Sequence, residues 1–446
     1  ELSGFSKSIV AATIGLVEAH ATGIALGDRT EVGSLKQIFG KRRGNTPDVA
    51  LGSVKSMISH AIPASGAASL IKCALALQQK VLPPMLCDEP SPELELETSP
   101  FYINNETRPW VHGGKLPRRA GVNAFGFGGI NAHVILEEYR PAPAKVQVAV
   151  LHAPVESEAV LLAAPTQQQL ADRVRSLRAR LDQPCIPDLA ALAKACAALP
   201  AGEHRLALVV SDFDELKKKL DQALEKLQRP DCAAFKTRGG VHYGRGAAPG
   251  KLALLFPGEG AQYPGMLADV CVNFPQARAW FDFLEDTATE GSRPSRAPVV
   301  FPPPTAISEE LRKQLDAQLL EGEYASESIF AASMALHTIL QDLGIKADGM
   351  LGHSTGENTA LTACKVRRYD KLSEIAESVH ALNGAFQKLK DTGAFADGSL
   401  LTLGALRAEQ REALLKDPGP GMIVAMDNCP NQLVLFGPRD SAHALK

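Results

Sequence analysis

The chain has 446 residues, 45% of them hydrophobic and 22% charged, with a formal net charge of −3. That length exceeds what one core usually serves, so two or three globular domains are expected. The near-balanced charge, with no dense basic tract interleaved with aromatics, argues against nucleic acid and anionic membranes as partners.

No apolar run approaches the length of a membrane span, and Glu1-Leu-Ser-Gly-Phe-Ser-Lys7 has neither the charge nor the hydrophobic stretch of a signal peptide, so a soluble, cytoplasmic protein is expected. The eight cysteines (Cys73, Cys87, Cys185, Cys196, Cys232, Cys271, Cys364, Cys429) follow no regular spacing and contain no C-x-x-C, which fits reduced thiols. No Cys/His cluster or H-E-x-x-H suggests a metal site. Asn105-Glu-Thr matches a glycosylation sequon that has no secretory context.

In chain order, Ile14 to His20 reads as an apolar strand that runs into His20-Ala-Thr-Gly-Ile24, with Asp28 and then Glu31 beyond. A second block, Gly52 to Gly66, carries Lys55 and His60 and leads into a helical pattern from Ala67 to Gln78. Each block is expected to end a strand with a histidine. A third block, Arg119 to Glu138, places the turn Gly126-Phe-Gly-Gly129 before a strand from Ala132 to Leu136. Because that turn feeds a strand and not a helix N-terminus, a phosphate-binding role is set aside.

Pro141-Ala-Pro-Ala-Lys145 marks a boundary. Beyond it strands are expected at Val146 to Leu151, Ala159 to Ala163 and His204 to Val210, with helices at Thr166 to Leu181, Asp188 to Leu199 and Asp214 to Leu227. The run Glu215-Leu-Lys-Lys-Lys219 reads as a solvated helix face. Lys251 to Phe256 is an apolar run suited to a buried parallel sheet, and Pro257-Gly-Glu-Gly-Ala-Gln262 turns out of it. Ala325 to Leu343 puts Ile329, Met334, Leu336, Ile339, Leu340 and Leu343 on one helical face that ends at Gly344.

The short run Gly349 to Leu351 enters Gly352-His-Ser-Thr-Gly356, a G-x-S-x-G turn before the helix-compatible Asn358-Thr-Ala-Leu-Thr-Ala363. A serine on such a turn stands clear of the sheet, with the following N–H groups aimed at whatever it attacks. An ordinary glycine-bounded turn would look the same over five residues. Strands are also expected at Ser399 to Leu403 and Gly421 to Met426.

The first three blocks resemble the C-terminal half of a β-ketoacyl synthase of the thiolase-like fold, as in polyketide and polyunsaturated fatty acid synthases. Its H-G-T-G-T motif corresponds to His20 through Ile24, its K-x-x-x-G-H block to Lys55 through His60, and its G-F-G-G-x-N-A-H motif to Gly126 through His133. The resemblance implies that His20 and His60 stabilise the thioester oxygen and enolate of a decarboxylating malonyl unit, with Lys55 supporting His60; without it, each reads as a core histidine. Ala21, Ile24 and Ser59 depart from the family's Gly, Thr and Gly. The family's nucleophilic cysteine lies upstream of the first histidine, where nineteen residues stand here.

Phe256-Pro-Gly-Glu-Gly-Ala-Gln262 together with Gly352-His-Ser-Thr-Gly-Glu357 resembles the signature pair of malonyl- and acyl-CoA:acyl carrier protein transacylases. That implies Ser354 as the acylated nucleophile, backbone N–H groups of Glu259 and Thr355 as oxyanion hole, and Gln262, His353 and Asn428 as neighbours of the acyl group. The family's carboxylate-clamping arginine falls on Val379, and its catalytic histidine lies beyond Lys446, so the chain alone is expected to lack sustained turnover. Gly352 to Leu361, with Asn358, leans toward enediyne-type or polyunsaturated fatty acid synthases.

The expected architecture is therefore α/β throughout: the C-terminal half of a thiolase-like ketosynthase (1–140), a small α/β linker domain (141–248), and an α/β-hydrolase-like acyltransferase core (249–396) with an incomplete ferredoxin-like subdomain (397–446). The expected function is acyl loading from CoA through Ser354 onto an acyl carrier protein. The chain itself would bind no cofactor; phosphopantetheine sits on the carrier, acyl-CoA is the substrate, and further partners are the remaining synthase domains and a second copy through the ketosynthase. A serine hydrolase and a degenerate carrier-docking scaffold remain the alternatives.

Overall fold

A computed structural model describes residues 13–113, 116–140, 156–183, 188–230, 232–246, 250–290, 294–369, 372–393 and 398–445. The chain divides into two compact units, Glu1–Arg368 and Tyr369–Lys446.

The first unit begins with strands β1 (Ile14–Glu18), β2 (Val49–Gly52), β3 (Val81–Leu82), β4 (Phe101–Ile103), β5 (Arg108–Pro109), β6 (Arg119–Phe125) and β7 (Asn131–Glu137). Five of them form a sheet of order β4-β2-β1-β6-β7, parallel except for β7. Parallel strands require crossover connections, and the resulting helices cover both faces. Helix Ala25–Phe39 sets Val32 and Leu35 against Val17, Val49 and Leu51. Helix Ser65–Gln79 sets Cys73, Ala76 and Leu77 against Leu16, Ala50 and Ala120 on the opposite face.

Strands β8 (Glu158–Ala164), β9 (His204–Val210), β10 (Phe235–Lys236) and β11 (Val241–Arg245) form an antiparallel sheet of order β10-β11-β9-β8. In β9 the apolar alternation drives Leu206, Leu208 and Val210 inward against helices Gln167–Arg180 and Phe213–Leu227. Thr166, Asp188 and Asp212 each cap the helix that follows by accepting a backbone N–H. The strand expected at Val146 to Leu151 lies outside the described residues.

Strands β12 (Ala253–Phe256) and β13 (Gly349–Gly352) pair in parallel, in register Phe256 to Gly352. The expectation of a buried sheet does not hold: the described sheet has two strands, and Leu255 and Leu351 are 71% and 65% exposed. Helix Gly322–Asp342 starts three residues earlier than expected, and Leu336 and Leu343 face solvent because its buried face is set by Tyr324, Ile329, Phe330, Met334 and Ala335. Gly344, at φ 76°, ends it.

Charged side chains fasten residues 278–290 and 294–306 to the first sheet. Arg118, 2% exposed, lies between Glu138 at 3.2 Å and Asp282 at 2.7 Å, and Arg42 donates to the Ala306 carbonyl at 3.0 Å. Burial alone would raise the Glu138 carboxyl; Arg118 and Lys80 more than reverse that and hold it at about 2.

The second unit holds helix Leu372–Asp391, then β14 (Ser399–Leu403), helix Ala408–Lys416, β15 (Ile423–Cys429), β16 (Gln432–Gly437) and helix Arg439–Ala444. Its antiparallel sheet has the order β14-β16-β15. The strand expected at Gly421 to Met426 starts and ends later, because Gly421 at φ 70° belongs to the preceding turn.

Candidate functional site

Because Phe256 pairs with Gly352, the loops leaving β12 and β13 emerge side by side. His353 N donates to the Phe256 carbonyl at 3.0 Å, and Gly356 N and Glu357 N then donate to the carbonyls of His353 and Ser354 as helix Gly356–Ala363 begins. Ser354 is exposed at the apex with φ 53°, a left-handed conformation that a side-chain-bearing residue holds only where its surroundings impose it.

Three glycines impose it through close approach. A Cβ on Gly352 would lie 2.3 Å from Glu357 N, and one on Gly356 would lie 2.3 Å from the Phe256 carbonyl oxygen. A Cβ on Gly258 would lie 2.7 Å from Ser354 Cβ, so the loop containing Glu259 packs directly on the serine's turn. Gln262, expected beside an acyl group, is buried and braces that loop: it accepts from Gly260 N at 2.8 Å and donates to the Leu319 carbonyl at 3.3 Å. His353 is exposed, and the Thr355 hydroxyl is buried without a hydrogen-bond partner. Arg367 reaches back to donate to Asn358 Oδ1 at 3.0 Å, which ties one of the nearby cations to the helix that follows Ser354. Asn428 and Val379 belong to the second unit, where Asn428 donates to Gln432 at 2.9 Å.

A second cluster gathers residues distant in sequence. The rings of His20 and His60 stand 5.5 Å apart at 85°, with Phe125 5.5 Å from His20. His60 does not end a strand as expected; helix Lys55–Ile58 intervenes after β2 and turns the chain back toward His20. Phe125 N donates to His20 Nδ1 at 3.4 Å, and Ile62 N donates to His60 Nδ1 at 3.1 Å. In both rings Nδ1 is therefore the acceptor, so the neutral ring carries its proton on Nε2 and offers it outward as a donor. Burial and the Lys55 charge lower the His20 pKa, which favours that neutral form.

Two carboxylates hold this arrangement. Glu31 accepts from His20 N at 2.7 Å, Ala21 N at 2.9 Å and Asn123 Nδ2 at 2.7 Å, and Asn123 Oδ1 lies 2.6 Å from His133 Nδ1. Glu18, fully buried in β1, accepts from Val54 N at 2.5 Å and pairs with Lys72 at 2.8 Å, which fixes the turn carrying Lys55. Sequence reasoning named Glu31 without a role and passed over Glu18. A lone acid inside the apolar run Ile14-Gly-Leu-Val-Glu18 was the available signal, since a buried charge must find a partner. Glu31→Gln keeps the shape and removes the charge shared by three donors; it is expected to lower stability by about 2 kcal/mol. Chemical denaturation at neutral pH measures this.

Ala21 and Ser59, the two positions that depart from glycine in the resembled motifs, have φ of 30° and 61°. Ser59, with ψ −179°, occupies a region that is nearly glycine-only. Ser59→Gly is expected to raise stability by about 1 kcal/mol; an unchanged or lowered unfolding midpoint would count against strain there.

No group of described residues could hold a metal ion, and no described helix is long and apolar enough to cross a membrane. Residues 6–87 match the β-ketoacyl synthase C-terminal domain, and residues 90–206 match the ketoacyl-synthetase C-terminal extension. A polyunsaturated fatty acid synthase polypeptide of Thraustochytrium sp. is 30% identical over 96% of the chain and 16% of its own length. Erythronolide synthase EryA3 of Saccharopolyspora erythraea is 33% identical over 96% of the chain and 13% of its own length. The chain carries a β-ketoacyl synthase C-terminal domain with its extension and is similar to polyketide and polyunsaturated fatty acid synthases over 96% of its length. It spans less than a fifth of the length of these two synthases. The acyl transferase domain of ZmaA, a solved structure, is 20% identical over 65% of this chain and 61% of its own, at a TM-score of 0.49, too low to carry weight. His20, Glu31, Lys55 and His60 fall inside the matched ketosynthase C-terminal domain, Asn123, Phe125 and His133 inside the matched extension, and the Ser354 turn lies beyond both segments.

Proposed function

We propose that this chain supplies the acyl-loading serine of a polyketide-type synthase and, in the same polypeptide, the oxyanion-stabilising half of its condensing site. Ser354 Oγ attacks the carbonyl of an acyl-CoA, the C–S bond breaks, and CoA leaves as the thiol with the serine proton. The acyl ester then passes to the phosphopantetheine thiol of an acyl carrier protein. The backbone N–H groups of Glu259 and Thr355 receive the carbonyl oxygen as it becomes negative. His20 and His60, each donating through Nε2 and flanked by Lys55, serve the enolate of a decarboxylating extender.

The observation that carries this reading is the strained, exposed Ser354 with a second loop packed on its turn at Gly258. A solvated loop serine has no cause to be held so. The further assignments belong to the same proposal: 1–140 ketosynthase, 141–248 linker, 249–396 acyltransferase core, 397–446 ferredoxin-like subdomain. For the last, the β-α-β-β-α order and the sheet order β14-β16-β15 are what such a subdomain presents in its first three strands. The test is the mass of the intact protein after exposure to acetyl-CoA and malonyl-CoA. One acyl increment is expected, and with no arginine at Val379 acetyl is expected to load comparably. No adduct from any thioester would end the proposal.

A further inference from the structure

Among the described residues, the sheet β10-β11-β9-β8 has one face covered and one open. On the open face, cross-strand register aligns Lys236 with His242, His242 with Ala207, and Ala207 with Leu161, a row that crosses all four strands. A second row aligns Gly244 with Arg205 and Arg205 with Ala163. The cations Lys236 and Arg205 thus stand on β10 and β9, and the side chains at the β8 side are apolar. Small residues at Ala163, Ala207 and Gly244 lower the floor between Leu199 on one side and Lys236 on the other, which leaves a trough of about 790 Å³. Its lining contains Arg205, Lys236 and His242 and no acidic residue, in a chain whose net charge is −3. Leu161 and Leu199 are 45% and 47% exposed there.

We propose that this trough is a docking site for an acidic amphipathic helix of a partner protein. Four strands at ~4.8 Å spacing span roughly 15 Å, enough to seat a helix of ~10 Å diameter with its apolar stripe over β8 and its acids near Arg205 and Lys236. The alanines and glycine on the floor permit close backbone approach. This site is independent of the serine chemistry proposed above.

The test uses the full chain and a fluorescein-labelled Leu/Glu peptide of about 14 residues, long enough for ~20 Å of helix, beside a Leu/Lys counterpart. Binding is read by anisotropy. The Glu peptide is expected to bind, to weaken with added salt, and to weaken about tenfold or more in the double variant Arg205→Glu, Lys236→Glu. Both positions are exposed, so thermal unfolding of the variant should match the parent. Ala207→Trp, which fills the floor without altering charge, is expected to abolish binding. Equal binding of the Lys peptide, or no change in either variant, overturns the proposal. Dodecanoate binding at the trough while the Glu peptide fails to bind also overturns it, in favour of a small anionic amphiphile.

Discussion

Ser354→Ala is expected to abolish the acyl adduct formed on incubation with acyl-CoA while leaving the unfolding midpoint unchanged. The reason is local. Alanine retains the Cβ that meets the Gly258 loop and adopts φ 53° at the same cost as serine, so only the Oγ is lost. A covalent nucleophile has no substitute once its attacking atom is gone, and effects of such removals reach on the order of 10⁶-fold. The exposed thiols of Cys364, ten residues on, and Cys429 are the competing acceptors. Neutral hydroxylamine separates thiol from serine adducts, since it cleaves a thioester rapidly and a serine ester slowly. An undiminished, hydroxylamine-resistant adduct on Ser354→Ala would remove the serine from the mechanism.

Gly352→Ala is expected to unfold the turn outright. The new Cβ would sit 2.3 Å from both Glu357 N and the Gly356 carbonyl oxygen, and those are backbone atoms of the helix start that cannot yield as a side chain does. Either β13 or helix Gly356–Ala363 must move, at a cost of about 3 kcal/mol or more. Acylation should disappear with it. Gly349→Ala, at the other end of the same strand, meets nothing within 4 Å and is the control; it should leave both stability and acylation intact. If Gly352→Ala behaved like Gly349→Ala, the packing described around Ser354 would be wrong.

Elements governed by local pattern were legible in the sequence. The alternation of His204 to Val210 fixed β9 to the residue, and the polar residues before each linker helix became its caps. The turn at Ser354 was legible for the same reason, since its glycines are required by contacts within a few residues and with one neighbouring loop. Burial was less legible. Lys251 to Phe256 has the composition of a core strand, yet what covers a strand is decided by distant segments, and Leu255 is left open. The bracing of the histidines was least legible. Glu31 meets Asn123 across 92 positions and Glu18 meets Lys72 across 54, and no local periodicity encodes such pairings. The departures at Ala21 and Ser59 could be seen as unusual letters, but their meaning needed the backbone angles.

The backbone amides of Phe125 and Ile62 read the ring nitrogens of His20 and His60, and they accept only one answer. A doubly protonated imidazole has no lone pair for such an amide, so charging the His20 ring would also push it out of its seat, which adds to the burial that already disfavours the charged form. Both seats thereby favour rings that stay neutral and donate outward, an arrangement suited to steadying an oxyanion and unsuited to ferrying protons in a cycle.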